Sequence, residues 1–337
     1  MARVLITGIA GFIGSSIARA LLAEGAEVRG IDNLSTGKLE NIEEIRAAID
    51  LRVADIQDRE AIREACVGVD FVFHEAAIPS VPKSVEDPLG TNGPNLTGTL
   101  MVLEASRKAD VKRVMYAASS AAYGDAPELP KVETMLPGPI SPYAVQKLAG
   151  EHYLSTYTRV FGLETVSLRY FNIFGPRQDP TSQYSGVLAR FISQMTAGET
   201  PTIFGDGTTS RDFTYIDNVV SANLLAARAP SRVAGKVLNV ATGTSVTLLE
   251  AYETIKRMVG YRGGVNFKPE REGDIRHSVA DISLAQQILG YRVVADFAGG
   301  LRQTIASGHA GVAERPLAMA HFGSAGSVEA ALANGRP

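Results

Sequence analysis

A tyrosine and a lysine four positions apart are the reactive pair that the sequence offers most plainly. They lie in Ser141-Pro142-Tyr143-Ala144-Val145-Gln146-Lys147. A proline favours an extended residue before it and a helix after it. Tyr143 and Lys147 then share one helical face. An ammonium near a phenol stabilises phenolate and lowers its pKa from about 10, which makes the phenol a base near neutral pH. Many such pairs are only surface contacts, so context decides. Upstream, an apolar run at 113–117 leads into Ala118-Ser119-Ser120-Ala121-Ala122-Tyr123-Gly124. Hydroxyls at the carboxyl end of a parallel strand lie where ligands bind in open sheets. A serine there can hydrogen-bond a substrate oxygen and relay its proton to Tyr143, although a plain polar strand cap would read the same way.

A second constellation concerns phosphates. Thr7-Gly8-Ile9-Ala10-Gly11-Phe12-Ile13-Gly14 follows an apolar run and opens a helical pattern. Gly8, Gly11 and Gly14 at this spacing give a tight turn, close approach of backbone to a pyrophosphate, and close helix–strand contact. The helix start at Phe12 and Ile13 turns N–H groups and positive dipole toward the phosphates. Asp32, 18 residues beyond Gly14, ends the next apolar run and is followed by Asn33. Its carboxylate suits an adenosine ribose and repels a 2′-phosphate, so NAD is expected over NADP. Asp55-Ile56 after the third run is read as an adenine cover or a simple turn.

These groups need a scaffold. Strands are expected at 3–7, 27–31, 50–54, 71–75, 113–117 and 165–169, several of them unbroken runs of Val, Leu, Ile and Phe as in strands covered on both faces. Helical patterns at 12–24, 39–48, 58–66, 96–109 and 143–160 alternate with them. The alternation predicts an α/β fold, a Rossmann-type doubly wound parallel sheet. After about residue 171 the chain is richer in turns, with helices expected at 186–197, 217–228 and 248–259. The expected division is a dinucleotide-binding domain at 1–171 and a smaller α/β lobe at 172–337. Elements near 214–243 rejoin the first domain, with a strand at 236–240. The tail after about 308 is rich in Ala and Gly and receives no function.

Composition narrows the classes. The chain has 337 residues, 45% of them apolar and 20% charged, with a formal net charge of −3. There is no global basic field for nucleic acid and no uninterrupted apolar stretch long enough for a membrane span. The start runs directly into the first strand, without the form of a signal peptide. A single cysteine, Cys66, excludes an intramolecular disulfide and fits a reducing, cytoplasmic setting. The five histidines lack ligand spacing, and no metal is expected.

With Arg169-Tyr170-Phe171-Asn172-Ile173-Phe174-Gly175 added, the glycine turn and the Ser/Tyr/Lys set form a specific combination. Over roughly residues 1–300 the chain resembles the extended short-chain dehydrogenases, in the NAD-dependent epimerase/dehydratase group, and within it the UDP-hexose 4-epimerases. The resemblance implies Ser119 as the catalytic hydroxyl with Ser120 assisting, Tyr143 as base, and Lys147 as the cation on the cofactor ribose. It also implies that Ala76, Ala77, Asn95 and Tyr170 lie beside NAD, although Asn95 also reads as a helix cap. Asn172, Arg211, Arg271 and Asp274 are the implied contacts of a UDP group, and Ser80 and Ser84 line the sugar. Related dehydratases and decarboxylases usually carry an acid after the catalytic hydroxyl; Ser120-Ala121-Ala122 has none.

In similar epimerases confined to glucose and galactose, a tyrosine follows the Arg-x-Gly-Asp motif by four residues and narrows the space beside carbon 2 of the sugar. Here that position is Ser278, which opens room for an N-acetyl group. The resemblance therefore implies interconversion of UDP-N-acetylglucosamine and UDP-N-acetylgalactosamine, with the non-acetylated sugars admitted too. A UDP-hexuronate 4-epimerase would share the machinery, and a non-catalytic NAD sensor could use the same fold. A homodimer is implied, with helices 96–109 and 143–160 of each subunit forming a four-helix bundle.

Overall fold

The computed structural model describes residues 2–179, 186–270 and 275–308. Arg271, Asp274 and the alanine-rich tail lie outside the described residues.

The central sheet takes its form from six strand runs in the first half and one in the second. These are β1 (Arg3–Thr7), β2 (Glu27–Asp32), β3 (Ile49–Val53), β4 (Phe71–His74), β5 (Arg113–Ser119), β6 (Glu164–Tyr170) and the strand Lys236–Val240. All pair in parallel, in the order Lys236–Val240, β6, β5, β4, β1, β2, β3. The chain winds outward from β1 to β3, then returns to β4 and winds the other way. Such a reversal opens a crevice at the carboxyl ends of β1 and β4. Alternate residues of β5 serve opposite faces: Met115 joins one apolar core, while Val114 and Tyr116 join the other. This explains why the run reads as continuously apolar.

Helices cover both faces. On one side α2 (Arg59–Cys66) packs on α5 (Gly98–Lys108), and α5 packs on α6 (Pro142–Phe161). On the other, α1 (Phe12–Ala23) packs on α8 (Ile216–Arg228). Cys66 is fully buried and its thiol is pushed up to about 11 by desolvation, the state of an inert core thiol. The smaller lobe holds α7 (Val187–Thr196) and α9 (Leu248–Val259), which meet through Phe191 and Tyr252 edge to face. A capping box between Thr247 and Glu250 starts α9. Between the lobe's elements, the strand Lys236–Val240 returns the chain to β6.

Several local expectations shift. Residues 39–48 form a 3₁₀ rather than an α segment. The expected helix at 96–109 is preceded by a π-helical turn at Gly93–Thr97 and becomes regular only at α5. Two short helices that the pattern did not reveal, α3 (Val81–Glu86) and α4 (Pro88–Asn92), begin at Ser80 and Asp87. Each side chain caps its helix, and a proline occupies each first turn. Among the described residues, no helix is long and apolar enough to cross a membrane, and no His/Cys/Asp/Glu group could hold a metal.

Candidate active site

The glycine turn is built by contact distance. Gly8 adopts φ +70, open to glycine at little cost. A Cβ on Gly14 would stand 2.2 Å from the Gly8 carbonyl oxygen, so only glycine lets α1 start this close to β1. The Asp32 carboxylate accepts from Ala10 N at 2.9 Å and from Leu34 N at 2.8 Å, tying the end of β2 to the turn. Burial nevertheless raises its pKa, more than these two donors lower it. Asn33 donates to Asp55 at 2.7 Å, and Ile56 is buried beside them. Gly8, Gly11, Phe12, Ile13, Gly14, Asp32, Asn33, Asp55 and Ile56 thus gather around one crevice mouth. It has the form of a dinucleotide cradle: a side-chain-free turn, a helix start, and a carboxylate at the second strand's end.

The reacting groups stand at the same edge of the sheet. Ser119 ends β5 in register with Tyr170 at the end of β6. Its hydroxyl accepts from Ala121 N at 3.2 Å and lies near enough to the Tyr143 phenol to favour its ionised form, while Ser120 opens the next turn. Helix α6 is fixed at its start by the Ser141 cap and Pro142, which places Tyr143 in the first turn. Ser84 accepts from Tyr143 N at 3.0 Å and donates to Val81 O at 2.7 Å. Its hydroxyl holds the backbone at the start of α6, and Ser80 accepts from Lys83 N. Both serines are buried.

One expectation is corrected. The Tyr143 pKa lies above the ordinary value, raised by burial and partly offset by the Ser119 contact. The Lys147 ammonium has partners of its own. Nζ donates to Ala117 O at 2.8 Å, lies 4.9 Å from the Tyr116 ring centroid, and feels the carboxylates of Glu75 and Glu151. Desolvation still lowers the Lys147 pKa to about 8.

Other groups were missed in the sequence. Gln146, between Tyr143 and Lys147, accepts from Asn95 at 2.8 Å and donates to Thr91 at 3.1 Å. Asn95 spends its amide on Gln146 and on both sides of the Ile78 peptide unit. It therefore fixes the loop that follows Ala76 and Ala77. Beneath that loop, His74 bonds Thr7 at 2.8 Å and Thr99 at 2.9 Å, and burial pushes its pKa down to about 3. Glu75 accepts from the Tyr170 hydroxyl at 3.1 Å. An acid ending an apolar strand beside Ala76-Ala77 was the available signal for it.

A cavity of about 330 Å³ opens at the lobe junction, lined by Asn172, Gln178, Arg190, Phe204, Arg211 and Phe213 among others. It unites two of the expected diphosphate contacts, Asn172 and Arg211, and adds Arg190 and aromatic walls. Arg211 is steadied by the carbonyls of Ser210 and Arg276 at 2.9 and 3.3 Å. Ser278 is buried and its N–H donates to Ser210 O at 3.1 Å, one residue from Arg211. Cationic and aromatic walls suit a nucleoside diphosphate.

Fold and site together have the form of a dinucleotide-binding enzyme, with a serine, a tyrosine and a lysine at the sheet edge and a separate cavity at the lobe junction. The sequence pattern of the NAD dependent epimerase/dehydratase family matches residues 4–241, and the chain belongs to that family. It is similar to the UDP-glucose 4-epimerase of Thermus thermophilus, whose structure is a complex with NAD: 38% identity, 92% of this chain and 100% of that one covered, TM-score 0.84. It is equally similar to the UDP-N-acetylglucosamine 4-epimerase of Methanobrevibacter ruminantium in complex with UDP-N-acetylmuramic acid: 39% identity, 91% and 98% covered, TM-score 0.87. The UDP-glucuronate 4-epimerase of Thermodesulfobacterium geofontis is 31% identical, with 90% of this chain and 95% of that protein covered.

Proposed function

We propose that the chain is a UDP-hexose 4-epimerase with NAD as its resident cofactor, interconverting UDP-N-acetylglucosamine and UDP-N-acetylgalactosamine and admitting UDP-glucose and UDP-galactose. The carrying observation is the convergence of Ser119 at the end of β5 with Tyr143 and, one helical turn on, Lys147 of α6, at the same sheet edge as the glycine turn. Gly8, Gly11 and Gly14 would hold the pyrophosphate against the start of α1, and Asp32 the adenosine ribose. Bound NAD would supply the hydride acceptor for carbon 4 and a positive charge favouring phenolate at Tyr143.

Tyr143 takes the proton of the sugar 4-hydroxyl, with Ser119 bridging oxygen to oxygen. Lys147 holds a ribose hydroxyl and keeps a positive charge under the site. The 4-keto sugar would turn over while Asn172, Arg190 and Arg211 keep the UDP fixed; with the hydride returned to the opposite face of carbon 4, Tyr143 gives the proton back to the 4-oxygen. Arg271 and Asp274 join the UDP contacts in this reading, Ala76, Ala77 and Tyr170 wall the nicotinamide, and Ser80 and Ser84 shape the sugar side through α3. Ser278, a small residue where glucose-restricted relatives carry tyrosine, supports the N-acetyl assignment. Residues 1–171 with the 214–243 elements form the cofactor domain, and the remainder the nucleotide-sugar lobe. The subunits pair through α5 and α6, and α6 carries the exposed Val145, Tyr153 and Val160.

The test is incubation with UDP-N-acetylglucosamine, UDP-N-acetylgalactosamine, UDP-glucose and UDP-glucuronate without added reductant, with products identified. Inversion at carbon 4 of the N-acetyl pair is expected, and Ser278→Tyr should lose that pair while keeping UDP-glucose. Turnover of UDP-glucuronate alone would contradict the sugar assignment.

A further inference from the structure

Behind the reacting pair lies a chain of polar groups that the proposed chemistry does not use. Asn223 of α8 donates its amide to the Tyr170 hydroxyl at 2.7 Å, and Tyr170 donates to Glu75 Oε1 at 3.1 Å. The chain ends there. Glu75 Oε2 is buried with no hydrogen-bond partner, as is Asn223 Oδ1. A buried carboxyl oxygen without a partner is costly, and such atoms call for an explanation.

Placement supplies one. Glu75 follows β4 directly and precedes Ala76, whose N would stand 2.8 Å from a Cβ on Gly8. Glu75 N donates to Thr7 O at 3.2 Å, so the residue sits at the carboxyl ends of β1 and β4, where the sheet reverses. Tyr170, its partner, is in register with Ser119. The charged group that acts on it is Lys147 of α6; Tyr170 of β6 is its titratable hydrogen-bond partner. His74, its chain neighbour, is held neutral by burial, as are Tyr116 on β5 and Tyr143 on α6. Burial raises the Glu75 pKa to about 7, so both charge states are reachable near neutrality.

We infer that Glu75 is an ionisable contact of the cofactor pocket, its unpartnered oxygen reserved for the nicotinamide end of the dinucleotide, where its charge sets the preference for the oxidised over the reduced ring. This rests on the proposed NAD site. Gain of a hydride turns the cationic nicotinamide ring into a neutral one. A carboxylate beside it favours the cation and a protonated carboxyl does not, while Lys147 opposes the carboxylate. Tyr170 and Asn223 act as positioning residues that orient Oε1 and leave Oε2 free.

The test is the pair of dissociation constants for NAD+ and NADH, measured calorimetrically on cofactor-stripped full-length chain at about pH 5.5 and about pH 7.5, either side of the carboxyl's titration. At the higher pH, Glu75→Gln should lower the ratio Kd(NADH)/Kd(NAD+) by about tenfold, a change of one pK unit in the coupling. At the lower pH the two proteins should agree. Tyr170→Phe, which removes the donor to Oε1 and spares the carboxyl, should move the pH midpoint of the parent's ratio upward and covers a failure of Glu75→Gln to fold. An unchanged ratio in Glu75→Gln at the higher pH, or an unmoved midpoint in Tyr170→Phe, overturns the inference. If the parent binds neither nucleotide, the NAD site itself is refuted, a result distinct from either.

Discussion

At the residue scale, the proposed acid–base work falls on a phenol whose own surroundings oppose ionisation. Burial raises Tyr143, Ser119 partly offsets this, and Lys147 is turned toward Ala117. Removing the phenol oxygen in Tyr143→Phe should lower kcat by about 10²–10⁴-fold, the usual worth of a positioned acid–base group, and leave bound cofactor intact in a denaturing extract. Retained turnover would shift the proton to another group. The i, i+4 spacing was legible in the sequence; the direction in which the lysine points was not, because the Ala117 carbonyl and two distant carboxylates draw it. Glu75 and His74 carry opposed pH signatures. His74 titrates near 3 when folded and at an ordinary 6.5 when unfolded, so between those values the unfolded chain holds the extra proton and stability rises with pH. Glu75 titrates near 7 when folded and at 4.5 when unfolded, so there the folded chain holds the proton and stability falls as pH rises. Glu75→Gln should leave the His74 slope unopposed. Relative to the parent, the variant should gain up to about 3 kcal/mol between pH 4.5 and 7 in urea unfolding. Parallel stability curves would place the Glu75 proton elsewhere.

At the element scale, helix α6 carries Tyr143 and Lys147, and its seating decides their geometry. Gly150 lies where a Cβ would stand 2.3 Å from the Tyr116 hydroxyl oxygen, so its absence of side chain sets how closely α6 approaches β5. Gly150→Ala should cost about 1–3 kcal/mol of stability through overpacking, read as a lower urea midpoint, and should reduce turnover by displacing Tyr143 and Lys147 together. An unaltered midpoint would mean that the contact relaxes freely. The strands were readable because covered parallel strands are continuous apolar runs, and the glycine turn because its spacing repeats a backbone requirement. The π-helical turn at Gly93–Thr97 was not readable. It depends on Asn95 reaching Ile78 and Gln146, residues 17 and 51 positions away. Short helices α3 and α4 hid for a related reason: each has fewer than two turns, too few for a period to show.

At the scale of the whole molecule, the sheet reversal and the second lobe divide the labour. The crevice between β1 and β4 takes the dinucleotide in the proposed reading, and the cavity with Asn172 and Arg211 takes the UDP, so the sugar lies between them over Tyr143. The lobe was harder to read, since its strands are two or three residues long and pair across large sequence distances, as Thr202–Phe204 does with Asn266–Lys268. The proposed dimer should give twice the chain's 35.8 kDa in sedimentation velocity; a concentration-independent monomer would remove the α5–α6 pairing. The central claim is that one hydride leaves carbon 4 and returns to it within a single active site. UDP-N-acetylglucosamine carrying deuterium at carbon 4, incubated with the protein and no added cofactor, should give UDP-N-acetylgalactosamine that keeps the deuterium at that carbon. Product with hydrogen from water at carbon 4, or no inverted product, would contradict it.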